Sequence, residues 1–396
     1  MKKVGIVSCY FQHNYGSMLQ AYATQMALDK IGLENETIDI SGFSKEIKYA
    51  KICYFIKASL TSDILLIKFG MAKNKFVQKF SCSDYARLSK VRHKKFVDFS
   101  RKMFRLSERY ISKDALGNAC AEKYDAVLVG SDQLWLPGNI AADYYTLNFV
   151  PNNVNTVAYA TSFGQSELPK KTAAKAQRFL QKIRHIGLRE ESGQVLVKKL
   201  TGRNVPVVCD PTLLFDGDEW LGIQKQEPII KGRYILCYFL GNNPEQREFV
   251  RRLKQETDCR IVSLLHLDEY IPADEKYADE APYDVDPADF LNLIRHAEYV
   301  CTDSFHCTVF SILYSREFFT FRRYTKATRQ STNSRLETLF NITGIKGRLH
   351  NGDDDVRSAM ATKTDFAAAH KKISALRIKS YEYLYRAVLD KGDTDL

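Results

Sequence analysis

The residues with the clearest chemical potential lie in the segment Tyr299–Phe310, which reads Tyr-Val-Cys-Thr-Asp-Ser-Phe-His-Cys-Thr-Val-Phe. A short apolar strand is predicted to end at Cys301, and an apolar helix is predicted to begin after a polar turn, with His306 in its first turn. Turns of this kind hold the active sites of open α/β sheets, and the free N–H groups of a helix N-terminus attract anions. Because histidine exchanges protons near neutral pH, the pattern favours chemistry on a negatively charged small molecule.

The same residues also fit a purely structural interpretation. Asp303 or Ser304 would then be an ordinary helix N-cap, and His306 would be a residue on the helix surface. The spacing alone does not separate these two interpretations, so other parts of the chain are needed to distinguish them.

The composition bounds the class of protein. The 396 residues suffice for two or three domains at about 150 residues each, and 45% hydrophobic residues provide for a large core. No run of about 18 apolar residues predicts a membrane-spanning helix, and the apolar run Val4–Phe11 lacks the features of a secretory signal. The nine cysteines are scattered without metal-type spacing, which predicts reduced thiols in a cytoplasmic protein and no metal site.

The positive charge is concentrated in one basic segment, Lys45–Lys113. This segment contains 18 Lys and Arg against 5 Asp and Glu, a net charge of +13, whereas the whole chain carries +11. Apolar and aromatic residues are interspersed with these cations, a pattern that suits an amphipathic surface on anionic lipid. A solvated helical insertion, with lysine stems lying along apolar surface, fits equally well. Nucleic acid is a weaker interpretation, because no recognised binding module accompanies the charge.

Alternating strand and helix patterns position the candidate residues. A strand over Lys3–Cys9, a helix over Met18–Ile31 and a strand over Glu36–Ile40 form a βαβ opening, which indicates a parallel sheet. A second series of strands and helices begins near Arg233, after a glycine-rich boundary. The predicted organisation is an amino-terminal α/β domain over 1–215 with the basic helical insertion at about 45–113, a carboxyl-terminal α/β domain over 233–350, and a terminal helix within 364–391.

Two such domains would enclose a cleft between the carboxyl ends of their sheets. Four polar loops follow predicted strands at that edge: Gln12–Ser17, Gly130–Gln133, Arg189–Glu191 and Asp303–His306. Gly16 is not part of a Gly-x-Gly-x-x-Gly run, so a dinucleotide fingerprint is absent. Each loop has an ordinary structural explanation by itself, whereas four of them at strand ends indicate a binding site.

Several segments together resemble the motifs of the polysaccharide pyruvyl transferase family. The similar segments, in the family's order, are Asn14–Ala23, Val129–Trp135, Arg189–Ser192, Asp210–Leu214, Thr302–His306 and Asn333–Leu336. Cys307 stands where the family usually has Gly, and neither the basic segment nor the terminal helix matches a family motif. The resemblance implies two Rossmann-like domains that face a cleft, as in the two-domain (B-type) glycosyltransferases.

The resemblance also implies a reaction. The enolpyruvyl unit of phosphoenolpyruvate would be transferred onto two hydroxyls of a sugar during synthesis of a cell-surface polysaccharide, such as an exopolysaccharide or capsule, with release of phosphate. Phosphoenolpyruvate carries a carboxylate and a phosphate, so the cleft needs cationic groups and helix N-termini. A positioned acid must protonate the vinyl carbon. No metal or other cofactor is required in principle, because phosphoenolpyruvate is a co-substrate.

The expected roles are distributed over both domains. His306 is expected to be the general acid/base or a phosphate contact, Asp303 to orient its ring or cap the helix, and Asp132 to act as base toward the sugar hydroxyl. The residues expected to contact phosphoenolpyruvate are Arg189, Ser304, Lys326 and Arg335, with Arg322 and Arg323 as rivals of Lys326. The residues expected to contact the acceptor sugar are Asn14, Tyr15, Gly16 and Gln133.

Two other classes of protein remain open. A nucleotide-sugar glycosyltransferase of the same architecture would be stabilised by a nucleoside diphosphate rather than by phosphoenolpyruvate. A non-catalytic membrane-surface or glycan-binding protein would have a degenerate cleft, and the presence of both His306 and Arg189 argues against it. The expected location is the cytoplasm, and the basic segment would allow attachment to the inner face of the cytoplasmic membrane, where a lipid-linked acceptor would be found.

Overall fold

The computed structural model describes residues 2–59, 83–266, 271–274, 277–323 and 334–390. Within these ranges the chain forms two parallel β-sheets covered by helices. Lys326 and the part of the basic segment between 60 and 82 lie outside the described residues.

The first sheet has six strands. They are β1 (Lys3–Val7), β2 (Glu34–Asp39), β3 (Leu106–Arg109), β4 (Ala126–Val129), β5 (Asn155–Thr161) and β6 (His185–Leu188), and their spatial order is β3-β2-β1-β4-β5-β6. The accompanying helices are α1 (Tyr15–Lys30), α2 (Ser44–Ser59), α3 (Ser83–Met103), α4 (Lys113–Lys123), α5 (Pro137–Ala142), α6 (Lys170–Lys182) and α7 (Glu191–Thr201). The continuous apolar run of β4 is buried along its whole length, as expected for a strand covered on both faces of a parallel sheet.

The second sheet has five strands. They are β7 (Tyr234–Tyr238), β8 (Arg260–Ser263), β9 (Tyr299–Thr302), β10 (Glu317–Phe321) and β11 (Leu349–His350), in the spatial order β11-β10-β9-β7-β8. Its helices are α8 (Pro244–Thr257), α9 (Pro287–His296), α10 (Phe305–Leu313), α11 (Ser334–Thr343) and α12 (Val356–Ala361). The strand order reverses between β7 and β9, so the loops that follow these two strands meet at a topological switch point, where open α/β sheets bind ligands.

Helix α1 begins earlier than the hydrophobic period predicts. Asn14 is its N-cap, because the Asn14 Oδ1 atom accepts a hydrogen bond from the Ser17 N–H at 3.1 Å. Gly16 and Ser17, predicted in a loop, therefore lie in the first helical turn. This difference places both residues directly at the carboxyl edge of the first sheet.

The terminal helix, α13 (Phe366–Leu389), connects the two halves of the molecule. The Tyr383 hydroxyl donates to the carbonyl of Ala158 in β5 at 3.3 Å, and the amide of Asn155 donates to the carbonyl of Ala387 at 2.8 Å. Nearer its start, His370 lies 2.8 Å from the carbonyl oxygen of Ile312 in α10. The helix thus packs on elements of both halves.

In its described residues, the basic segment contributes one strand, β3, and two helices, α2 and α3, to the structure. Its strand β3 pairs with β2 at the edge of the first sheet. Helix α3 buries Phe96 and Arg92 completely, and Arg92 donates to the carbonyls of Leu265 at 2.6 Å and Pro282 at 2.7 Å. A buried arginine that binds backbone of the second half is a structural contact, so α3 joins the two halves instead of presenting all its cations to solvent.

Helix α2 differs from α3 in its surroundings. Tyr49, Ile52 and Ile56 are 70%, 45% and 54% exposed on it, whereas Ile47 is buried. Among the described residues, no helix combines the length and the hydropathy needed to cross a bilayer.

The contacts of Arg92 predict a selective loss of stability. Arg92→Met keeps an apolar stem but removes two charge-assisted hydrogen bonds and leaves two buried carbonyls without their donor. We expect the free energy of unfolding to fall by about 2–5 kcal/mol, since each such bond contributes roughly 1.5–3 kcal/mol. Chemical denaturation measures the change.

Arg101→Met is the matched control, because it removes an exposed cation from the same helix. Its expected effect is within about 0.5 kcal/mol. Equal losses of unfolding free energy in the two variants would show that the positive charge of α3, and not the hydrogen bonds from Arg92, stabilises the fold.

Candidate functional site

A cleft of about 390 Å³ lies where the carboxyl ends of the two sheets face each other. Six of the residues predicted from the sequence line it, namely Asn14, Asp132, Gln133, Ser304, His306 and Arg335, and so does Arg323, one of the two rivals of Lys326. The structure therefore brings residues from both halves of the chain together around one space.

His306 is positioned by the first turn of α10 and by a glycine of α1. Ser304 is the N-cap of α10, with its Oγ atom accepting from the Cys307 N–H at 3.4 Å. The imidazole packs directly on Gly16, and a Cβ at that position would overlap the ring. The absence of a side chain at Gly16 thus allows α1 and α10 to meet at the site.

The carboxylate nearest the imidazole belongs to Asp210. Its Oδ2 atom lies 3.5 Å from Nε2 of His306 and accepts hydrogen bonds from Arg189 at 2.9 Å and Ser131 at 2.8 Å. Burial by itself would raise the pKa of Asp210, but His306, Arg189 and a hydrogen bond from Thr212 outweigh it and hold the pKa well below its usual range. Asp210 is therefore ionised near neutral pH and can orient the His306 ring.

No site role for Asp210 was predicted, although its segment carries one of the family-like motifs. The signal in the sequence was an acidic residue followed by proline directly after an apolar run, Val205–Cys209. A motif of this kind indicates a turn, but its pairing with a histidine far along the chain depends on how the two sheets pack.

Asp132 has an unusual backbone and a strongly polar environment. Its φ of 83° lies in the left-handed region, which side-chain-bearing residues rarely adopt outside turns and functional sites. The carboxylate accepts a hydrogen bond from the Ser17 hydroxyl at 2.5 Å. Burial would raise the pKa of Asp132, but Arg189, His306 and Ser17 lower it below its ordinary value. The low pKa limits its strength as a base and favours a role in accepting hydrogen bonds.

Asp303 faces away from the imidazole. Its carboxylate accepts hydrogen bonds from the N–H groups of Leu240 and Gly241, both at 2.8 Å, and lies 3.5 Å from Nε of Arg323. Asp303 therefore fixes the loop after β7 against the turn after β9, while Ser304 caps the helix. The geometry gives the contact with His306 to Asp210.

The three rival cations near β10 have different surroundings. Arg323 lines the cleft, and its guanidinium donates to the carbonyl of Asp303 at 3.2 Å. Arg322 does not line it and donates to Asn351 at 3.2 Å instead. Lys326 lies outside the described residues.

Two buried guanidinium groups lie against the ring of Phe305. The Cζ atoms of Arg189 and Arg335 are 4.7 Å and 5.9 Å from its centroid. Within the described part of the chain, Nε and Nη2 of Arg189 and Nε of Arg335 have no hydrogen-bond partner. Buried N–H donors without partners are costly, so this pair of cations is suited to hold an anion.

The two guanidinium groups differ in how their charge is balanced. Burial lowers the pKa of Arg189, but Asp210, Glu190 and Asp132 outweigh it and raise the pKa above its ordinary value. Burial and the neighbouring charge of Arg189 instead lower the pKa of Arg335 to about 9. Of these two cations, Arg335 is the one whose charge the surrounding protein compensates less.

The residues predicted to meet an acceptor sugar occupy different places. Asn14 caps α1, lines the cleft and lies 3.5 Å from the Tyr238 hydroxyl. Gln133 also lines the cleft, and its buried Nε2 atom has no partner among the described residues. Tyr15 does not line the cleft, because it is 1% exposed and its ring stacks on Phe290 with centroids 4.5 Å apart. Gly16 contacts the His306 ring, as described above.

The uncompensated charge of Arg335 predicts a variant that is more stable and less able to bind anions. A base whose pKa is lowered by folding destabilises the folded state at every pH below that lowered value, so the penalty is present at pH 7. We expect Arg335→Met to raise the free energy of unfolding by at least about 1 kcal/mol, since one pKa unit corresponds to about 1.4 kcal/mol. Denaturation at pH 7 without added multivalent anions measures this.

Arg322→Met, a neighbouring cation outside the cleft, is the control and is expected to leave stability nearly unchanged. A variant Arg335→Met that is clearly less stable than the unmodified protein would assign Arg335 a structural role.

Solved structures of similar fold include two epimerases. One is a putative UDP-N-acetylglucosamine 2-epimerase from Listeria monocytogenes, with 13% identity, coverage of 100% of this chain and 99% of that chain, and a TM-score of 0.58. The other is the UDP-GlcNAc 2-epimerase from Neisseria meningitidis bound to UDP-GlcNAc, with 10% identity, coverage of 99% and 100%, and a TM-score of 0.52. At these identities the likeness concerns the fold alone, and it confirms the predicted pair of Rossmann-like domains facing a cleft.

The sequence comparisons give one family. A family model described as polysaccharide pyruvyl transferase matches residues 14–323. This range contains every predicted site residue except Lys326 and Arg335. Comparison with curated proteins finds no significant match.

Proposed function

The chain belongs to the polysaccharide pyruvyl transferase family, transferases of polysaccharide biosynthesis, and we propose that it forms a pyruvate ketal on a sugar from phosphoenolpyruvate. The observation that carries this proposal is the pair of buried guanidinium groups on the Phe305 ring: Arg335 lines the cleft together with His306, and Arg189 lies against the same ring. Phosphoenolpyruvate has a carboxylate and a phosphate, and arginine binds both through parallel N–H donors. The site therefore matches the donor substrate in charge.

The donor is proposed to lie on the side of the cleft formed by the second sheet. Arg189 is largely neutralised by Asp210 and Glu190, and Arg323 is paired with Asp303 at 3.5 Å, so Arg335 supplies most of the uncompensated positive charge. The Ser304 hydroxyl, which lines the cleft next to His306, is a further proposed contact. Lys326 remains a proposed contact as well, from outside the described residues.

His306 is proposed to give a proton to the methylene carbon of phosphoenolpyruvate while a sugar hydroxyl attacks C2. Asp210 would hold the ring in place for this step, in the manner of the carboxylates that orient catalytic imidazoles. A second hydroxyl of the same sugar then displaces inorganic phosphate from C2, which closes the ketal. One hydroxyl proton replaces the proton given by His306, and the other leaves with phosphate, so the reaction is balanced without a redox partner.

The acceptor is proposed to lie on the side of the cleft formed by the first sheet. Asn14 and Gln133 line this side and offer amide donors and acceptors to sugar hydroxyls. Asp132, with its low pKa, is proposed to accept a hydrogen bond from the attacking hydroxyl and to direct it toward C2.

The central test is phosphate release from phosphoenolpyruvate with a panel of nucleotide sugars, lipid-linked sugars and polysaccharides, with mass spectrometry to detect a pyruvylated product. We expect His306→Ala to reduce turnover by about 10²–10⁴-fold, the range for loss of a general acid or base. His306→Gln, which retains a polar side chain but cannot transfer a proton in the same way, should show a similar loss.

Both variants are first checked for an unchanged melting temperature. Turnover close to that of the unmodified enzyme in a folded His306 variant would remove this residue from the mechanism.

A nucleotide-sugar glycosyltransferase is the alternative that the fold permits, since one similar structure holds UDP-GlcNAc. Thermal denaturation with phosphoenolpyruvate and, separately, with UDP distinguishes the two functions. Stabilisation by UDP together with no effect of phosphoenolpyruvate would favour the alternative.

We further propose that the basic segment binds the anionic surface of the cytoplasmic membrane. Its net charge of +13 and the exposed side chains of Tyr49, Ile52 and Ile56 support this. Helix α3 contributes less, because Arg92 and Phe96 are buried against the rest of the protein. Each cation close to anionic lipid contributes about 1 kcal/mol, so a few of them suffice for reversible attachment.

Liposome flotation tests this attachment. At low salt we expect the protein to float with anionic but not with neutral liposomes, and to dissociate as the salt approaches about 1 M, where the screening length falls to about 3 Å. Ile52→Ser should weaken flotation, whereas Ile378→Ser should not, although Ile378 on α13 is the more exposed of the two isoleucines, at 70% against 45%. Failure to float with either liposome at low salt would rule out the attachment.

A further inference from the structure

The cleft contains one cation that lies apart from the proposed donor site. Lys51 of α2 lines the cleft from the side of the first sheet, with its Nζ atom 5.9 Å from the centroid of the Tyr145 ring. Arg189 and Arg335 instead lie against Phe305 of the second half. The carboxylate and phosphate of phosphoenolpyruvate are already matched by the cations on that side, which leaves Lys51 without a role in donor binding.

Within the described part of the chain, Lys51 also lacks a carboxylate partner. Among the described residues no Asp or Glu forms an ion pair with it, and burial lowers the pKa of its ammonium group. A partly buried ammonium group without a counter-ion costs stability. An anionic substrate bound in the cleft would supply the missing counter-ion and offset this cost.

The surroundings of Lys51 suit a sugar. Phe55 follows four residues later in the same helix, so the two side chains lie on one face of α2. Phe55 lines the cleft and is 38% exposed, and its ring packs on Gly138, where an added Cβ would lie 3.1 Å from Cζ. Leu134 and Leu136 line the cleft next to it. An apolar surface that ends in a cation can pack against a pyranose ring and bind a charged group attached to that ring.

We propose that Lys51 and Phe55 form the acceptor subsite and that the acceptor is a sugar carrying a phosphate group, which Lys51 binds. A compact ammonium group is a common phosphate ligand in proteins. The phosphate belongs either to a nucleoside diphosphate or to a lipid diphosphate, because in both of these carriers the sugar is attached directly to a phosphate group. This inference rests on the proposed ketal transfer and adds the class of its acceptor.

The test uses the full-length protein and three forms of each of several common hexoses. The forms are the uridine diphosphate sugar, the sugar linked through diphosphate to a short prenyl chain, and the neutral methyl glycoside. Binding is measured by calorimetry with phosphoenolpyruvate present, and turnover by phosphate release and mass spectrometry. The methyl glycoside of a hexuronic acid is included to separate phosphate from carboxylate.

We expect at least one diphosphate-linked sugar to bind about tenfold or more tightly than its methyl glycoside. Lys51→Met should remove most of that advantage, raise KM for the phosphorylated acceptor and leave kcat nearly unchanged. Lys48→Met is the matched control, since Lys48 is an exposed residue of the same helix, and it should behave like the unmodified protein. The nucleotide-linked and lipid-linked forms show, by their relative affinity, which source of phosphate is used.

Two results would overturn the inference while the proposed function stands. One is equal binding of neutral and phosphorylated acceptors, and the other is preference for the uronic acid over every phosphorylated sugar. Equal losses in Lys51→Met and Lys48→Met, or binding by none of the phosphorylated sugars, would also exclude it. Failure of the proposed function is recognised separately, by the absence of stabilisation by phosphoenolpyruvate in the unmodified protein and in Lys51→Met alike.

Discussion

A cluster of buried charges at the junction of the two sheets governs how the loops of the site are arranged. Ions are costly to bury, and a buried ion pair is tolerated when its geometry and its additional hydrogen bonds are good. Here Asp210 accepts from Arg189, Ser131 and Thr212, and Asp132 accepts from Ser17. All of these residues belong to the first half of the chain, and His306 of the second half lies 3.5 Å from Asp210, so the complete cluster requires both halves to be folded.

The cluster also explains how the site combines two carboxylates of constant charge with a cation whose charge is poorly balanced. Asp210 and Asp132 keep low pKa values because cations surround them, which keeps their charges constant over the pH range in which a histidine titrates. Arg335 is less well balanced, so the folded protein retains a cation that costs stability. The same unbalanced charge that costs the folded state stability is available to bind an anion, a trade-off that is common at functional sites.

The space between the sheets is maintained by elements that lie far from the chemistry. Arg92 of α3 binds backbone carbonyls of the second half, and Tyr15 stacks on Phe290. Helix α13 packs on elements of both halves. These connections hold the two halves together on several sides, so Gly16 and the His306 ring can pack in direct contact. The small separation follows from the missing side chain, because helix α1 could not approach the ring with any larger residue.

The order of residues was enough to predict the features that depend on near neighbours in the chain. Strand and helix periods predicted both sheets, the polar loops marked the strand ends, and the family motifs identified His306, Arg189 and Asp132 as candidates. These signals are local, since each depends on the order of residues within one strand, turn or helix. The net positive charge of the basic segment was equally visible in the sequence. Composition does not show which face of a helix is buried, so it did not show which of these cations reach solvent.

Which distant residues meet became visible only in the three-dimensional structure. It paired His306 with Asp210 instead of Asp303, buried Tyr15 between the halves, and placed Arg92 in an interior contact within a segment that reads as a basic surface. It also brought Lys51, which no motif contains, to the wall of the cleft. Each of these outcomes depends on the packing of one sheet against the other, and such long-range contacts leave no periodic trace in the residues on either side.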